Sequence, residues 1–191
     1  IHCLMVCRML VDLNLPLSSE EEDITLASAL CHDMIEDIPF PKKGRELVDV
    51  FGLDKRIYEI VKLLSKRKDF TEEEEKAHFH AIESNRLALL VKLSDRSHNV
   101  EDLYNMSQWK VHEYIGETEK FFHPMCDYGT QHYPEVVQVL EILRNKILSL
   151  TQVSEVLVDR LALREKELQD ERDALKRENE ELRAELSAVW R

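Results

Sequence analysis

The residues best suited to chemistry gather in two short stretches of this sequence. The first is "CHDMIED", where His32, Asp33, Glu36 and Asp37 come within six positions. The second is "VKLSDRSHN", where Asp95 emerges from the apolar run "LALLVKL". His32 and Glu36 are four apart, as are Asp33 and Asp37, so on a helix each pair projects from one face. An imidazole beside a carboxylate suits a divalent cation of borderline hardness such as Mn²⁺, Fe²⁺ or Zn²⁺. A carboxylate at the end of an apolar run needs a compensating partner, and a metal or an arginine is the usual one. His2 opens the first apolar stretch and is a candidate fourth ligand, although a single histidine on an apolar helix is more often a hydrogen-bonded core residue.

The elements that must hold these groups read as helices. "ITLASAL" leads into the first cluster as a buried apolar helix over 22–36, and Pro39 and Pro41 stop it. Three carboxylates would then lie at the negative end of a helix dipole, unfavourable by roughly 0.3–1 kcal/mol each, and a bound cation would relieve them. Residues 1–15 carry apolar side chains at helical spacing, and Ser18 or Ser19 begins the next helix. A short helix over 42–52 is closed by Gly52. Residues 53–66 are amphipathic, with Ile57, Ile60, Val61 and Leu64 on one stripe. Thr71 and Glu74 form a capping box for 69–84, and "EEEEK" is its solvated first turn. Residues 85–106 are apolar nearly all round in their first half and form the central helix, with further helices over 108–123 and 134–150. His98 reads equally as a site residue and as a packing residue. His78, His80, His112, His123 and His132 show no ligand spacing with one another and read as surface or packing residues.

Composition agrees with an all-α fold: only four glycines and five prolines occur, and 43% of residues are hydrophobic against 34% charged. The formal net charge of −12 repels duplex nucleic acid and anionic membranes. A small phosphorylated substrate stays possible, because a metal and a few placed cations suffice locally. There is no apolar run long enough to cross a membrane. Cys3, Cys7, Cys31 and Cys126 show no disulfide spacing and read as free thiols, the first three of them buried, which makes the cytoplasm the expected compartment. The chain opens at Ile1 in mid-pattern and without Met, as a fragment or a trimmed chain would.

From about residue 150 the character changes. Leu161, Leu168, Leu175, Leu182 and Val189 recur every seven residues in a highly charged stretch. With these at d, the a positions hold Val158, Glu165, Arg172, Asn179 and Leu186. The pairs Glu171–Lys176 and Glu178–Arg183 would attract across a parallel dimer, and Asn179 would fix its register. A coiled coil is the expectation here, ahead of a lone solvated helix held by its own ion pairs.

His2, "CHDMIED" and "LLVKLSDRSHN" together resemble the HD-domain superfamily of metal-dependent phosphohydrolases. More narrowly, they resemble the hydrolase domain of RelA/SpoT-type guanosine tetraphosphate enzymes. That family carries an early histidine, an HDxxED motif, a Lys in a "TK" pair and a KLADRxHN motif. These correspond here to His2, residues 32–37, Ser65-Lys66 and residues 92–99, and the later "YIGETEKFFHP" is also similar. Cys3 stands where the family usually has Pro, and Ser97 where Leu is common.

The resemblance covers about residues 1–150 and implies an all-α HD-domain helical bundle, followed by a charged tail over 151–191. It implies one Mn²⁺ held by His2, His32, Asp33 and Asp95. Glu36 and Asp37 would set up the attacking water, and Lys66, Arg96 and Asn99 would meet the nucleotide and its phosphates. The implied reaction removes the 3′-pyrophosphate of guanosine tetra- or pentaphosphate. Alternatives are another 3′-phosphorylated nucleotide such as NADPH, or a non-catalytic HD-fold regulator assembled through its tail. The expected partners are the nucleotide and a second copy bound through 158–189, with no nucleic acid and no membrane.

Overall fold

The computed structural model describes residues 1–37, 52–67 and 69–189, and every regular element among them is helical. The helices are α1 (His2–Asp12), α2 (Ser19–Cys31), α3 (Met34–Asp37), α4 (Lys55–Leu64), α5 (Glu72–Glu83), α6 (Arg86–Asn99), α7 (Gln108–Glu117), α8 (His123–His132) and α9 (Val137–Val189). A 3₁₀ turn, Val100–Asn105, follows α6, and a π turn, Thr118–Phe122, joins α7 to α8.

Local chemistry sets the helix starts. Ser18 caps α2 in a full capping box with Glu21, and Thr71 does the same for α5 with Glu74. Asp54 accepts from the Arg56 N–H at the start of α4. Asn85 accepts from the Ala88 N–H at the start of α6. The stripe Ile57, Ile60, Val61 and Leu64 is buried as its spacing requires.

Helix α6 is the axis of the bundle and packs against α1, α2, α4, α5, α8 and α9. Ala88 through Val91 and Leu93 through Ser97 are all buried, so only a helix surrounded on every side could carry them. Gly129 lets α8 approach closely, because a Cβ there would lie 2.7 Å from methyl carbons of both Leu89 and Leu140. Arg86 ion-pairs with Glu21 and Glu135, tying α2 and the start of α9 to the base of α6.

Several expectations change. The helix expected over 22–36 begins at Ser19 and ends at Cys31, with His32 and Asp33 in a turn before α3. The three carboxylates therefore do not share the last turn of one long helix. The central helix stops at Asn99, and the 3₁₀ turn takes the place of its last part. The expected helix over 42–52 and the prolines at 39 and 41 lie outside the described residues, Gly52 excepted, whose φ is +62°. The helix expected over 134–150 and the charged tail are one continuous helix, and burial against the bundle runs past 150 to Val158. All four cysteines are free, but Cys3, Cys7 and Cys31 are only half-buried and Cys126 alone is buried.

Candidate metal centre

The broken backbone at Cys31 is what aims the first cluster. His32 leaves the end of α2 and its Nδ1 lies 2.7 Å from the Ala29 carbonyl oxygen. A carbonyl only accepts, so Nδ1 carries the proton and Nε2 presents its lone pair. That bond also satisfies one of the orphan carbonyls at the end of α2.

His2, from the first turn of α1, meets this lone pair. Its Nε2 lies 3.2 Å from His32 Nε2, 3.0 Å from Asp95 Oδ1 and 3.8 Å from Asp33 Oδ2. His32 Nε2 lies 3.1 Å from Asp33 Oδ1 and 3.6 Å from Asp95 Oδ1. Neighbouring donor atoms on one ion at ~2.0–2.2 Å lie ~2.8–3.6 Å apart in octahedral or tetrahedral arrangement, a range that only the His2–Asp33 separation of 3.8 Å exceeds. His2, His32 and Asp33 therefore fit a single divalent cation, imidazoles with a carboxylate being a mixture that a borderline metal accepts. Ligand atoms of His2, His32 and Asp33 lie within 4.8 Å of one another. Asp95, on α6, brings its Oδ1 to the two imidazoles from the core side.

Asp95 is 8% exposed. Burial works to raise its carboxyl, but the side chains of His2 and His32 beside it and the charge of Lys92 hold it well below the usual carboxylate range. Asn99 Nδ2 donates to its Oδ1 at 2.7 Å and Lys92 Nζ lies 3.3 Å from its Oδ2. For His32, burial works to lower the imidazole, and Asp95 with the Ala29 carbonyl outweighs it, so His32 is raised. His98 Nδ1 lies 3.0 Å from His2 Nδ1. With the His2 Nε2 lone pair turned to the donor cluster, its Nδ1 proton goes to His98, which fixes the ring. Cys3 Sγ donates to Asp33 Oδ2 at 3.6 Å. Burial and then the Asp33 charge push the Cys3 thiol up, so it stays a donor.

His2, His32, Asp33, Asp95 and Asn99 line a cavity of about 280 Å³, together with Glu36, Leu64, Val91 and Lys92. Glu36 accepts from the main-chain N–H of Lys66 at 2.7 Å, which holds its carboxylate at the cavity wall. The side chain of Asp37 lies outside the description.

The remaining expected residues part company. Asn99 reaches the cavity, but its amide is spent on Asp95. Lys66 points its ammonium to Glu75 at 2.6 Å and Glu117 at 3.2 Å, beside a second cavity of about 500 Å³ that includes Lys110, Tyr114 and Lys120. Arg96 is 4% exposed. Its guanidinium is 3.8 Å from the centres of both the Tyr114 and Phe122 rings, ion-paired to Glu117, and lined up with the Tyr114 carbonyl and Thr118 Oγ1. The expectation that Arg96 meets substrate phosphates does not fit this placement: its donors are turned into the α7 side of the core. Lys92 and His98 are site residues the sequence reading did not assign. The signal for Lys92 was its i,i+3 spacing to Asp95; for His98 it was only proximity.

Residues 1–100 match the HD domain family, and the chain belongs to it. That family comprises metal-dependent phosphohydrolases, and its namesake pair is His32-Asp33 here.

Proposed function

We propose that this chain is a Mn²⁺-dependent nucleotide 3′-pyrophosphohydrolase of the cytoplasm that converts guanosine tetra- or pentaphosphate to GDP or GTP. The observation that carries the reading is one cavity lined by His2, His32, Asp33 and Asp95, the ligand atoms of the first three lying within 4.8 Å of one another, with Glu36 on its wall. A divalent cation there, which His2, His32 and Asp33 would hold with Asp95 beside them, would supply Lewis acidity toward water and a phosphoryl oxygen. Water attacks phosphorus, the bond from phosphorus to the 3′ oxygen breaks, and the 3′ oxygen takes a proton from solvent to leave as the hydroxyl of the nucleotide. Glu36, held by the Lys66 N–H, takes the water's proton. Lys92 sets positive charge against the phosphates. The neighbouring cavity, with Lys66, Lys110, Lys120 and Tyr114, has room and cations for the rest of the nucleotide. Free thiols suit the reducing cytosol.

One observation favours a second substrate. With Arg96 buried, one cation fewer faces the phosphates, so a nucleotide with a single ribose phosphate, such as NADPH with its 2′-phosphate, is the second reading. The test is phosphate and pyrophosphate release from both nucleotides, with and without Mn²⁺, in the parent, Asp95→Asn and Glu36→Gln. Asp95→Asn is expected to lose Mn²⁺ binding and release together. Glu36→Gln is expected to keep the metal and lose ~10²–10⁴-fold in rate. Metal-independent release, or full activity in Glu36→Gln, overturns the mechanism. Binding of metal and nucleotide without release points to a regulator.

A further inference from the structure

Helix α9 runs without a break from Val137 to Val189, yet its surroundings change completely along the way. Leu140, Leu143, Ile147 and Val158 are buried against the bundle. The next members of the same three-and-four spacing are Leu161, Leu168, Leu175 and Leu182, exposed by 62%, 50%, 65% and 52%. The side-chain contacts of α9 to the bundle end with Gln108 and His112 on Asp159. The stripe that holds the helix to its own domain thus continues past the domain with nothing on it among the described residues.

We infer that a second copy of this chain covers that stripe, in a parallel two-stranded coiled coil beginning at Leu161. The charges flanking the seam choose both the occupant and its direction. Glu171 and Glu178 lie at g, and Lys176 and Arg183 lie at the following e positions. Two parallel copies place each acid opposite a base of the other chain, four attractive pairs in all. An antiparallel pair sets g against g and e against e, which brings Glu171 and Glu178 of the two copies together and leaves the bases without acids. The charged a residues agree: Glu165 falls beside Arg164 at g of the second copy, and Arg172 beside its Glu171. Asn179, also at a, pairs with itself only in the parallel register. Because the seam is already covered up to Val158, the two helices part there and the two domains stand side by side at one end.

Sedimentation equilibrium of the full chain at micromolar concentration should give twice the 22.5 kDa of one chain. Leu168→Glu with Leu175→Glu should be monomeric, with the melting of the domain unchanged, since both side chains are exposed in a single copy. Lys176→Glu with Arg183→Glu should raise the dissociation constant about tenfold or more. Glu171→Lys with Glu178→Lys should do the same, and an equimolar mixture of the two charge variants should associate as the parent does. Asn179→Cys should close a disulfide between copies on oxidation, beyond the background set by the native thiols. A monomeric parent overturns the inference and leaves the stripe to a helix of another protein. A dimer indifferent to both charge variants, or one that Asn179→Cys does not cross-link, overturns the parallel arrangement.

Discussion

Replacing Glu117 by Gln tests whether Arg96 is a core cation or a substrate contact. Arg96 has a side chain 5% exposed and Glu117 is its only carboxylate partner among the described residues, with Glu117 29% exposed. The amide keeps the shape and removes the charge, so a buried guanidinium loses its counterion. Breaking one side of such a pair costs about 3–5 kcal/mol, mostly because the remaining charge stays desolvated. Lys66 retains Glu75 at 2.6 Å and adds little. For a chain of this size each kcal/mol moves the melting temperature by about 2–4 °C, so the expected fall is about 6–20 °C. The double substitution Arg96→Met with Glu117→Leu should recover much of it, since no charge is then left unpaired. The wild type should show the same loss at acid pH. Burial works to raise the Glu117 carboxyl, but the charge of Arg96 and then Lys66 hold it low in the folded state. A carboxyl lowered by folding stabilises fully above its unfolded value near ~4.3, and that stability is lost as pH falls toward the folded value. Urea denaturation from pH 7 to 3 should therefore show a slope that Glu117→Gln flattens. A Glu117→Gln protein within about 0.5 kcal/mol of the parent at pH 7 would refute the reasoning and return Arg96 to the substrate.

Three other perturbations probe separate parts of the molecule. His98→Ala should weaken Mn²⁺ binding ~10–100-fold by calorimetry, because His2 loses the group that orients it; unchanged affinity makes His98 a bystander. His78 is pushed down to about 4 by burial and then by Lys92 and Lys66, and its Nε2 is buried with no partner among the described residues. The unfolded chain therefore binds the proton more readily, and stability present above pH ~6.5 is lost as pH falls toward 4, by about 1–2 kcal/mol after allowance for solvent screening. His78→Phe should erase that slope in denaturation at pH 5 against pH 7, and an unchanged slope assigns it elsewhere. Ser97 is fully buried with its hydroxyl unpartnered among the described residues, so Ser97→Ala should leave the melting temperature unchanged or raise it. A loss above about 1 kcal/mol would mean that the hydroxyl has a partner, such as an ordered water.

The sequence was most legible where a feature depends on neighbours a few residues away. The capping boxes at Ser18 and Thr71 and the buried stripe of α4 each involve groups within one or two turns, and each is present. The gathering of His2, His32, Asp33 and Asp95 around one cavity was legible because type and context agreed: a His-Asp pair, and an acid ending an apolar run. What escaped was decided by contacts far apart in sequence. Nothing near residue 31 announces the break that turns His32 toward α1, and "SALCHDMIED" taken alone reads as unbroken helix. Arg96 looks like a phosphate ligand until α7 delivers Tyr114 and Glu117 to it across the chain. His98 gains its place only because His2 lies 3.0 Å away, across 96 residues of sequence. The seam of α9 was visible as a heptad, but its sharing between the bundle and the arm was not, since periodicity is the same on both sides of Val158.

The bond between Glu36 and residue 66 is made by the main chain. Every amino acid except proline offers the same N–H there, so the placement of Glu36 is indifferent to which side chain position 66 carries. The ammonium of Lys66 meanwhile serves Glu75 and Glu117. Saturating this one position therefore separates two functions that a single substitution would confound. Eighteen replacements change the side chain beside the second cavity, all but arginine removing its positive charge, while leaving the acid in position, and proline alone releases it.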